Sequence, residues 1–428
     1  MKPPIPLLIF SDAVSAPTGL ARITRDIASR VHANLSDVFR VATIGYGGAG
    51  SSKFGWTQYS WTHNGKWIIR DLPEIWEDFA GNQRGIFMSV YDPHRMLWLA
   101  RPETCTEPLV QKFLEKAPFK KWGYFPIDAT GPNDRLAGML KACLMGYDRI
   151  LCYSEWARKI VANTLRQDQS LTPDYEATKR DLDQLPHGID TSIFFPRPRA
   201  RQRQMFGQMA VGQPGISIAD DELLVGIVAT NQARKDYGLG IATCAELAKT
   251  RKVRVWIHTD ALERNWVIPW LCADFGLDGG NLISLDQFSD DTMAKLYSAC
   301  DVTLGIGLGE GFGYPIFESL ACGCPCIHGN YGGAPEHMSE NMLVTTGTFR
   351  HEGVYGCVRP VFSPRDWADK IEALEPRLRY CLPPRLDWNN LWPRWEAWFR
   401  KGIFACGDMQ KVRGSWYGTQ YHQEGSNE

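Results

Sequence analysis

Short apolar runs alternate with helical stripes from one end of this chain to the other. Leu7-Leu8-Ile9-Phe10, Val38 to Ile44, Gly85 to Val90, Lys121 to Pro126 and Arg149 to Tyr153 predict buried strands. After the first of them, Leu20, Ile23, Ile27 and Val31 fall on one helical face, reached through the polar turn Ser11 to Gly19. Ser154 is placed to cap a helix over Glu155 to Leu165. The pattern resumes with strands at Leu223 to Ala229, Val253 to Thr259, Asn281 to Ile283 and Asp301 to Ile306. Helical segments near Pro269 to Phe275 and Asp291 to Ala299 separate them. Strand, turn and helix repeated in this way predict doubly wound parallel sheets, which bind ligands at the carboxyl ends of their strands.

At 428 residues the chain is too long for one hydrophobic core. Pro186, Gly188 and Pro196 punctuate a boundary, so residues 1–195 and 196–385 are expected to form two domains. Leu391, Trp395, Trp398 and Phe399 then share one face of a further helix, assigned to 386–406, and a polar tail follows over 407–428.

Composition narrows the class. With 44% apolar and 22% charged residues the chain reads as an ordinary soluble globular protein. A net charge of −1 provides no global field for nucleic acid or an anionic membrane. The dense basic run Arg197 to Arg203 reads either as a nucleic-acid contact or, more commonly, as a solvated helix start. No apolar stretch reaches transmembrane length, and the start of the chain lacks a signal-peptide pattern. Twelve scattered cysteines, several inside apolar segments, suggest reduced thiols and a cytoplasmic location. Cys322, Cys324 and Cys326 have metal-like spacing but no matching second cluster, and they occupy positions where small core residues belong. Asp181-Leu182-Asp183 is the sole Asp-x-Asp, just before the domain link and poorly placed for a metal.

The chemistry concentrates in Gly307-Leu308-Gly309-Glu310-Gly311-Phe312-Gly313-Tyr314-Pro315-Ile316-Phe317-Glu318. A buried strand runs into four glycines within seven residues, a loop whose backbone admits a ligand closely. Pro315 suits the first helical turn and Gly323 the C-terminal cap, so a glycine-rich loop opens on a helix N-terminus that favours phosphate or hydroxyl groups. Glu310 and Glu318 flank the turn, and two carboxylates there can accept hydrogen bonds from the hydroxyls of a ribose and a hexose together. Arg234-Lys235, two cations directly after a strand, suit a departing diphosphate. Asp92 and Asp128 each follow a strand end, where a carboxylate can take a proton from an acceptor hydroxyl. Arg22, on a first helical turn, faces either an anion or solvent. The loop Gly45 to Ser52 is either a mobile lid or a surface connection, and the region through Trp61, Trp67 and Trp76 is aromatic and irregular.

The Gly307–Glu318 stretch, with Phe288-Ser289-Asp290-Asp291 and Leu296 to Val302 before it, resembles the donor site of retaining GT-B glycosyltransferases of the family 4, group 1 type. The resemblance implies an α/β GT-B fold, two doubly wound Rossmann-like domains facing a central cleft. It implies transfer of a sugar from a nucleotide-diphosphate sugar with retention of configuration and no requirement for a metal or other cofactor. On it, Glu318 holds the ribose, Glu310 the transferred sugar, and Lys235 with Arg234 the diphosphate. Gly19, Gly311, Phe312, Gly313 and Tyr314 complete the donor cradle, and the base stacks near Gln287-Phe288. Asp92, Asp128, Lys235 and Glu310 form the catalytic set. The chain departs from the pattern in three places. Only Gly19 remains of a glycine pair, Tyr91 stands where the family has a histidine, and Thr230 or Asn231 stands where it has an arginine. The acceptor is left open between a glycan, a lipid, a protein and a modified DNA base, with peripheral membrane contact as one route to it. A sugar-nucleotide epimerase, a phosphorylase and an inert nucleotide-sugar-binding module are the other readings.

Overall fold

The computed structural model describes residues 3–46, 54–60, 62–63, 66–67, 69–166, 182–277, 281–353, 356–374 and 380–405. Two parallel sheets organise it. The first contains β1 (Ile5–Asp12), β2 (Phe39–Tyr46), β3 (Thr57–Ser60), β4 (Gly85–Ser89), β5 (Phe119–Phe125), β6 (Arg149–Cys152) and β7 (Leu182–Gln184), in spatial order β3-β2-β1-β4-β5-β6-β7. The second contains β8 (Leu223–Val228), β9 (Val253–His258), β10 (Asn281–Ser284), β11 (Val302–Gly305), β12 (Cys326–Gly329) and β13 (Leu343–Val344), in order β10-β9-β8-β11-β12-β13. Registers put apolar residues side by side: Leu7 lies beside Val41 and Ile86, and Val225 beside Val255 and Val302. These are two Rossmann-like halves, the α/β architecture expected of a GT-B fold.

Strand order reverses between β1 and β4 in one sheet and between β8 and β11 in the other. At such a reversal the connections leave toward opposite faces of the sheet and open a crevice at the strand carboxyl ends. The loops after β1, β4, β8 and β11 therefore carry whatever the fold is built to hold.

Helix α1 (Gly19–Asn34) starts where Thr18 accepts the Ala21 N–H at 3.1 Å and buries Ile23, Ile27 and Val31. Helix α2 (Glu155–Arg166) is capped by Ser154, whose Oγ accepts the Ala157 N–H at 3.1 Å. The aromatic stretch read as irregular contains a helix, Leu72–Ala80, with Trp76 buried against the Phe119 ring at 4.8 Å. Leu72, Ile75, Trp76, Phe79 and Ala80 recur at i, i+3, i+4, i+7 and i+8, a helical period that the sequence carries and the reading of the region as irregular passed over. Trp61, residues 47–52 of the glycine-rich loop and the 407–428 tail lie outside the described residues. An antiparallel hairpin, β14 (Phe349–Glu352) and β15 (Cys357–Pro360), stands apart from the second sheet.

The basic run does open a helix, Arg199–Gln204, with Arg199 and Arg201 exposed, but Arg197 and Arg203 are drawn out of solvent. Arg197 pairs with Asp291 at 2.7 Å, and buried Arg203 pairs with Asp301 while donating to the carbonyls of Ala219 and Glu222. A guanidinium removed from water needs these partners, and the run finds them inside its own domain. Cys322, Cys324 and Cys326 are all buried in the core around β12, and burial pushes the Cys322 and Cys326 thiols up to about 12.

The second domain adds helices α3 (Tyr237–Ala248) and α4 (Asp290–Ala299), and the last described helix, here α6 (Trp388–Ala405), lies on the first sheet. Trp395 meets Tyr124 at 5.0 Å, Trp398 meets Trp122 at 5.1 Å and Phe399 meets Phe39 at 5.6 Å. Arg149 lies over both Trp122 and Trp398, 4.8 and 4.1 Å from their ring centres. Aromatic pairs each contribute about 0.5–1.5 kcal/mol beyond their buried area, enough together to hold the helix on that sheet.

Candidate active site between the two sheets

The second sheet supplies a charged cluster through two paired loops. Beyond β8, Asp236 N–H donates to the Ile306 carbonyl at 2.9 Å, and beyond β11, Leu308 N–H donates to the Arg234 carbonyl at 2.9 Å. The pairing places Arg234 and Lys235 alongside Glu310. Lys235 Nζ ion-pairs with Glu310 Oε1, and Arg234 Nη1 stands 3.3 Å from Oε2. Burial opposes ionisation of Glu310, but Lys235 first and Arg234 next outweigh it and hold its carboxyl at about 2. Burial and the neighbouring Arg234 draw Lys235 below its usual range, with Glu310 opposing.

The helix after the glycine-rich loop, α5 (Tyr314–Ala321), begins at Gly313, whose φ of +90° favours glycine. Pro315 occupies its first turn, and Gly323 follows its end at φ +79°. Glu318 is buried on this helix and accepts from Tyr297 Oη at 3.0 Å. Its other oxygen is ion-paired with Arg22, which comes from α1 of the first domain. Burial raises the Glu318 carboxyl and Arg22 offsets only part of that. The Arg22 guanidinium also lies over the Tyr314 ring at 4.8 Å and reaches Asp290 at 3.3 Å. Arg22 therefore faces an anion, not solvent.

The first sheet contributes three acids from the ends of adjacent strands: Asp12 on β1, Asp92 after β4 and Asp128 after β5. Asp128 Oδ2 is 3.2 Å from Arg234 Nε, so an acid of one domain and a cation of the other share the cluster built on Glu310. Asp92 is 3.9 Å from Arg95. Burial, then the Asp128 charge, lifts the Asp92 carboxyl to about 6. Tyr91 is buried, with its ring 5.4 Å from Phe10. Burial and then Arg95 lower the His94 imidazole.

Of the residues singled out from sequence, Asp92, Asp128, Arg234, Lys235 and Glu310 thus gather in one cluster, and Tyr314 and Glu318 in a second around Arg22. Gly19 opens α1, and a side chain added there would approach Tyr314 at an ordinary 3.9 Å. Gly311 lies against Ile127 and Tyr153 of the first domain. Phe312 packs its ring in the core, 3.9 Å from His187 and 4.5 Å from Phe317. Phe288 stacks on His258 at 5.0 Å.

Two participants escaped the sequence reading. Asp12 ends the first strand and accepts from Thr18 Oγ1 at 2.6 Å, a position visible in the strand pattern but passed over. Arg359 reaches the cluster from the β14–β15 hairpin, whose two four-residue strands are too short and too mixed to carry a period.

Asp92 gives a test of these electrostatics. Its folded-state pKa lies above the ordinary 3.8, so its contribution to stability is complete below pH 4 and is lost as pH rises through 6. Asp92→Asn is expected to raise the Tm at pH 8 by about 1–2 °C, a small shift because the side chain is 40% exposed and screened. The gain should vanish near pH 4 in thermal unfolding scans, and a lowered Tm at pH 8 would contradict the assignment.

Residues 223–375 match the profile of the glycosyl transferases group 1. The chain is 24% identical over 219 residues to a D-inositol 3-phosphate glycosyltransferase of Mycobacteroides abscessus, covering 51% of this chain and 44% of that protein. It is 24% identical over 326 residues to the protein of that name from Actinosynnema mirum, covering 74% and 70%. Among these curated relatives the first three are spanned over 44%, 58% and 45% of their lengths, about half. In fold, the chain is similar to the sucrose-phosphate synthase of Thermosynechococcus elongatus, with a TM-score of 0.68 at 14% identity over 94% of this chain and 100% of that one. It is also similar to Anabaena HepE in complex with UDP and glucose, with a TM-score of 0.65 at 14% identity over 93% and 100%. No helix among the described residues is long and apolar enough to cross a membrane.

Proposed function

We propose, for a GT-B chain whose residues 223–375 match the glycosyl transferases group 1, that it moves a sugar from a nucleoside-diphosphate sugar to an acceptor hydroxyl with retention of configuration. One observation carries the reading: a buried carboxylate, Glu310, held between Lys235 and Arg234, with Asp128 of the other domain on the same guanidinium. In this reading the bond from the anomeric carbon to the phosphate oxygen breaks, and the nucleoside diphosphate leaves with the electron pair. Lys235 and Arg234 stabilise that growing charge from a site already arranged for it. The acceptor oxygen bonds to the anomeric carbon on the same face, and its proton passes to a carboxylate, Asp92 or Asp128. Retention rests on the resemblance of the Glu310 and Glu318 positions to the group's donor site. The two cations and the α5 N-terminus oppose the diphosphate charge without a metal.

Glu318 holds the ribose hydroxyls, which take the place of the Arg22 guanidinium on its carboxylate. The acceptor approaches from the first sheet, whose strand ends carry Asp12, Asp92 and Asp128. Carboxylates at these strand ends can accept hydrogen bonds from an acceptor hydroxyl, whether it belongs to a glycan, a lipid, a protein or a modified DNA base.

The test is release of free nucleotide from a panel of UDP-, GDP- and ADP-sugars, followed by mass spectrometry of glycan, lipid, protein and DNA acceptors. Glu318→Ala should weaken binding of the active donor by about 10–100-fold in calorimetry, the loss of a hydrogen bond to a charged group. Donor bound by the parent without turnover would leave an inert binding module. Unchanged affinity in the variant would remove Glu318 from the site.

A further inference from the structure

The β14–β15 hairpin is not needed to complete either sheet. A two-stranded antiparallel ribbon is at best marginally stable alone, so its anchorage says what it is for. The anchor is in the first domain. Val358 N–H donates to the Thr130 carbonyl at 2.7 Å, an antiparallel bridge between hairpin and first domain. Tyr331 Oη accepts the Thr130 N–H at 3.1 Å and donates to the Val358 carbonyl, closing the junction. The hairpin thus grips the residues immediately after Asp128.

Arg359, next along the hairpin, is 6% exposed. Its Nη1 donates to the Asp128 carbonyl at 2.8 Å and to the Leu308 carbonyl at 3.1 Å, while Nη2 lies 3.6 Å from Asp128 Oδ1. Its Nε donates to Glu352 Oε2 across the hairpin at 3.3 Å. One planar group therefore touches the backbone and side chain of the acid, and the loop that leads into Glu310. Lysine, with a single charged tip, cannot hold those points at once. Arg234 approaches the other Asp128 oxygen, so the carboxylate lies between two guanidinium groups, one from the nucleotide-side loop and one from the hairpin.

We propose that Arg359 is a positioning residue for transfer. It fixes Asp128 against the donor loop, so the acid takes its working place only when hairpin and first domain are engaged. The inference deepens the glycosyltransferase reading and rests on it. It acts through Asp128, braced on the Leu308 carbonyl and away from the ribose carboxylate Glu318, so it should govern turnover rather than nucleotide affinity.

The experiment measures nucleotide release with purified full chain and UDP-glucose, GDP-mannose, ADP-glucose and UDP-N-acetylglucosamine, with glycerol and myo-inositol as hydroxyl acceptors. Arg359→Gln should lower kcat at least 30-fold with the donor KM within threefold of the parent. Arg359→Lys should recover part of the loss. Glu352→Gln, which frees one side of the guanidinium without emptying its site, should cost a few-fold and serves if Arg359→Gln unfolds, as judged by its Tm. In a kcat cycle with Asp128→Asn, the double variant should be no slower than Asp128→Asn alone. Multiplying losses, or a rise in KM with kcat unchanged, would overturn the inference while leaving the proposed function standing. A parent that releases nucleotide from no member of the UDP-, GDP- and ADP-sugar panel with any of the polyol, glycan, lipid, protein and DNA acceptors would remove the function, and this inference with it.

Discussion

Replacing Glu310 by glutamine is expected to lower turnover by about 10²–10³-fold and to destabilise the chain by roughly 3–5 kcal/mol. The two effects have one origin. Glu310 is buried, and its carboxylate is the shared counter-charge of Lys235 and Arg234. Removing one member of a buried ionic cluster leaves the others desolvated without compensation, which is the source of the stability figure. For turnover, cations that relax toward new partners no longer await the leaving diphosphate in place, and loss of one preorganised group typically costs the stated factor. The pH dependence separates this from a packing defect. The Glu310 carboxyl is depressed to about 2 from an ordinary 4.5. Its contribution, roughly 3 kcal/mol, is therefore fully present above pH 4.5 and disappears as pH falls toward 2. Parent and Glu310→Gln should differ most in Tm at neutral pH and converge in acid. A variant with parental kcat, or a Tm gap that ignores pH, would contradict the electrostatic account.

Gly309→Ala is expected to reduce turnover by more than about 100-fold while leaving UDP affinity within a few-fold. Gly309 has a φ of +133°, a backbone conformation that costs a residue with a side chain about 1–3 kcal/mol. A methyl group there would also overlap the Asp128 carbonyl oxygen and approach Arg359 Nη1 at 2.9 Å and the Tyr331 ring at 3.1 Å. The obstacle is backbone of the other domain, which cannot rotate aside as a flexible side chain would. Relief requires the glycine-rich loop and the Asp128 segment to separate, and with them Glu310 and its partners from the acid across the interface. Glu318 and the α5 helix lie beyond the clash, so the nucleotide contacts survive. Calorimetry with UDP and initial rates of nucleotide release test the two halves separately. Equal kcat in the alanine variant would show that the close approach has no bearing on catalysis.

The fold was legible because both halves announce it by the same means. Leu7 to Phe10 and Leu223 to Ile227 are buried on both faces of their sheets, so they appear as unbroken apolar runs that need no partner to be recognised. Gly313, Pro315 and Gly323 were readable for a local reason: each answers a demand of the backbone at its own position. The helix around Trp76 was readable in the same local way, from its period at Leu72, Ile75, Trp76, Phe79 and Ala80, and was passed over. The hairpin carrying Arg359 was not legible, since it draws its meaning from Thr130, far away in the chain. Arg203 was misread for the same cause, because the acid that neutralises it, Asp301, lies just before a strand 98 residues later.

By itself the sequence determined the alternation of strands and helices, the glycine-rich turn and the chemical identity of its acids and cations, all properties set within a dozen neighbouring residues. Only tertiary structure decided which of those charges meet. Arg22 lies 296 residues from Glu318 along the chain, yet the two form an ion pair because α1 and α5 leave two separate sheets toward the same crevice. Arg234 likewise joins Asp128 to Glu310 because the loop after β5 of one sheet and the loops after β8 and β11 of the other meet across the interface between the sheets. Charge pairing falls off within a few ångströms, and no spacing along the chain encodes a distance that the packing of two domains creates.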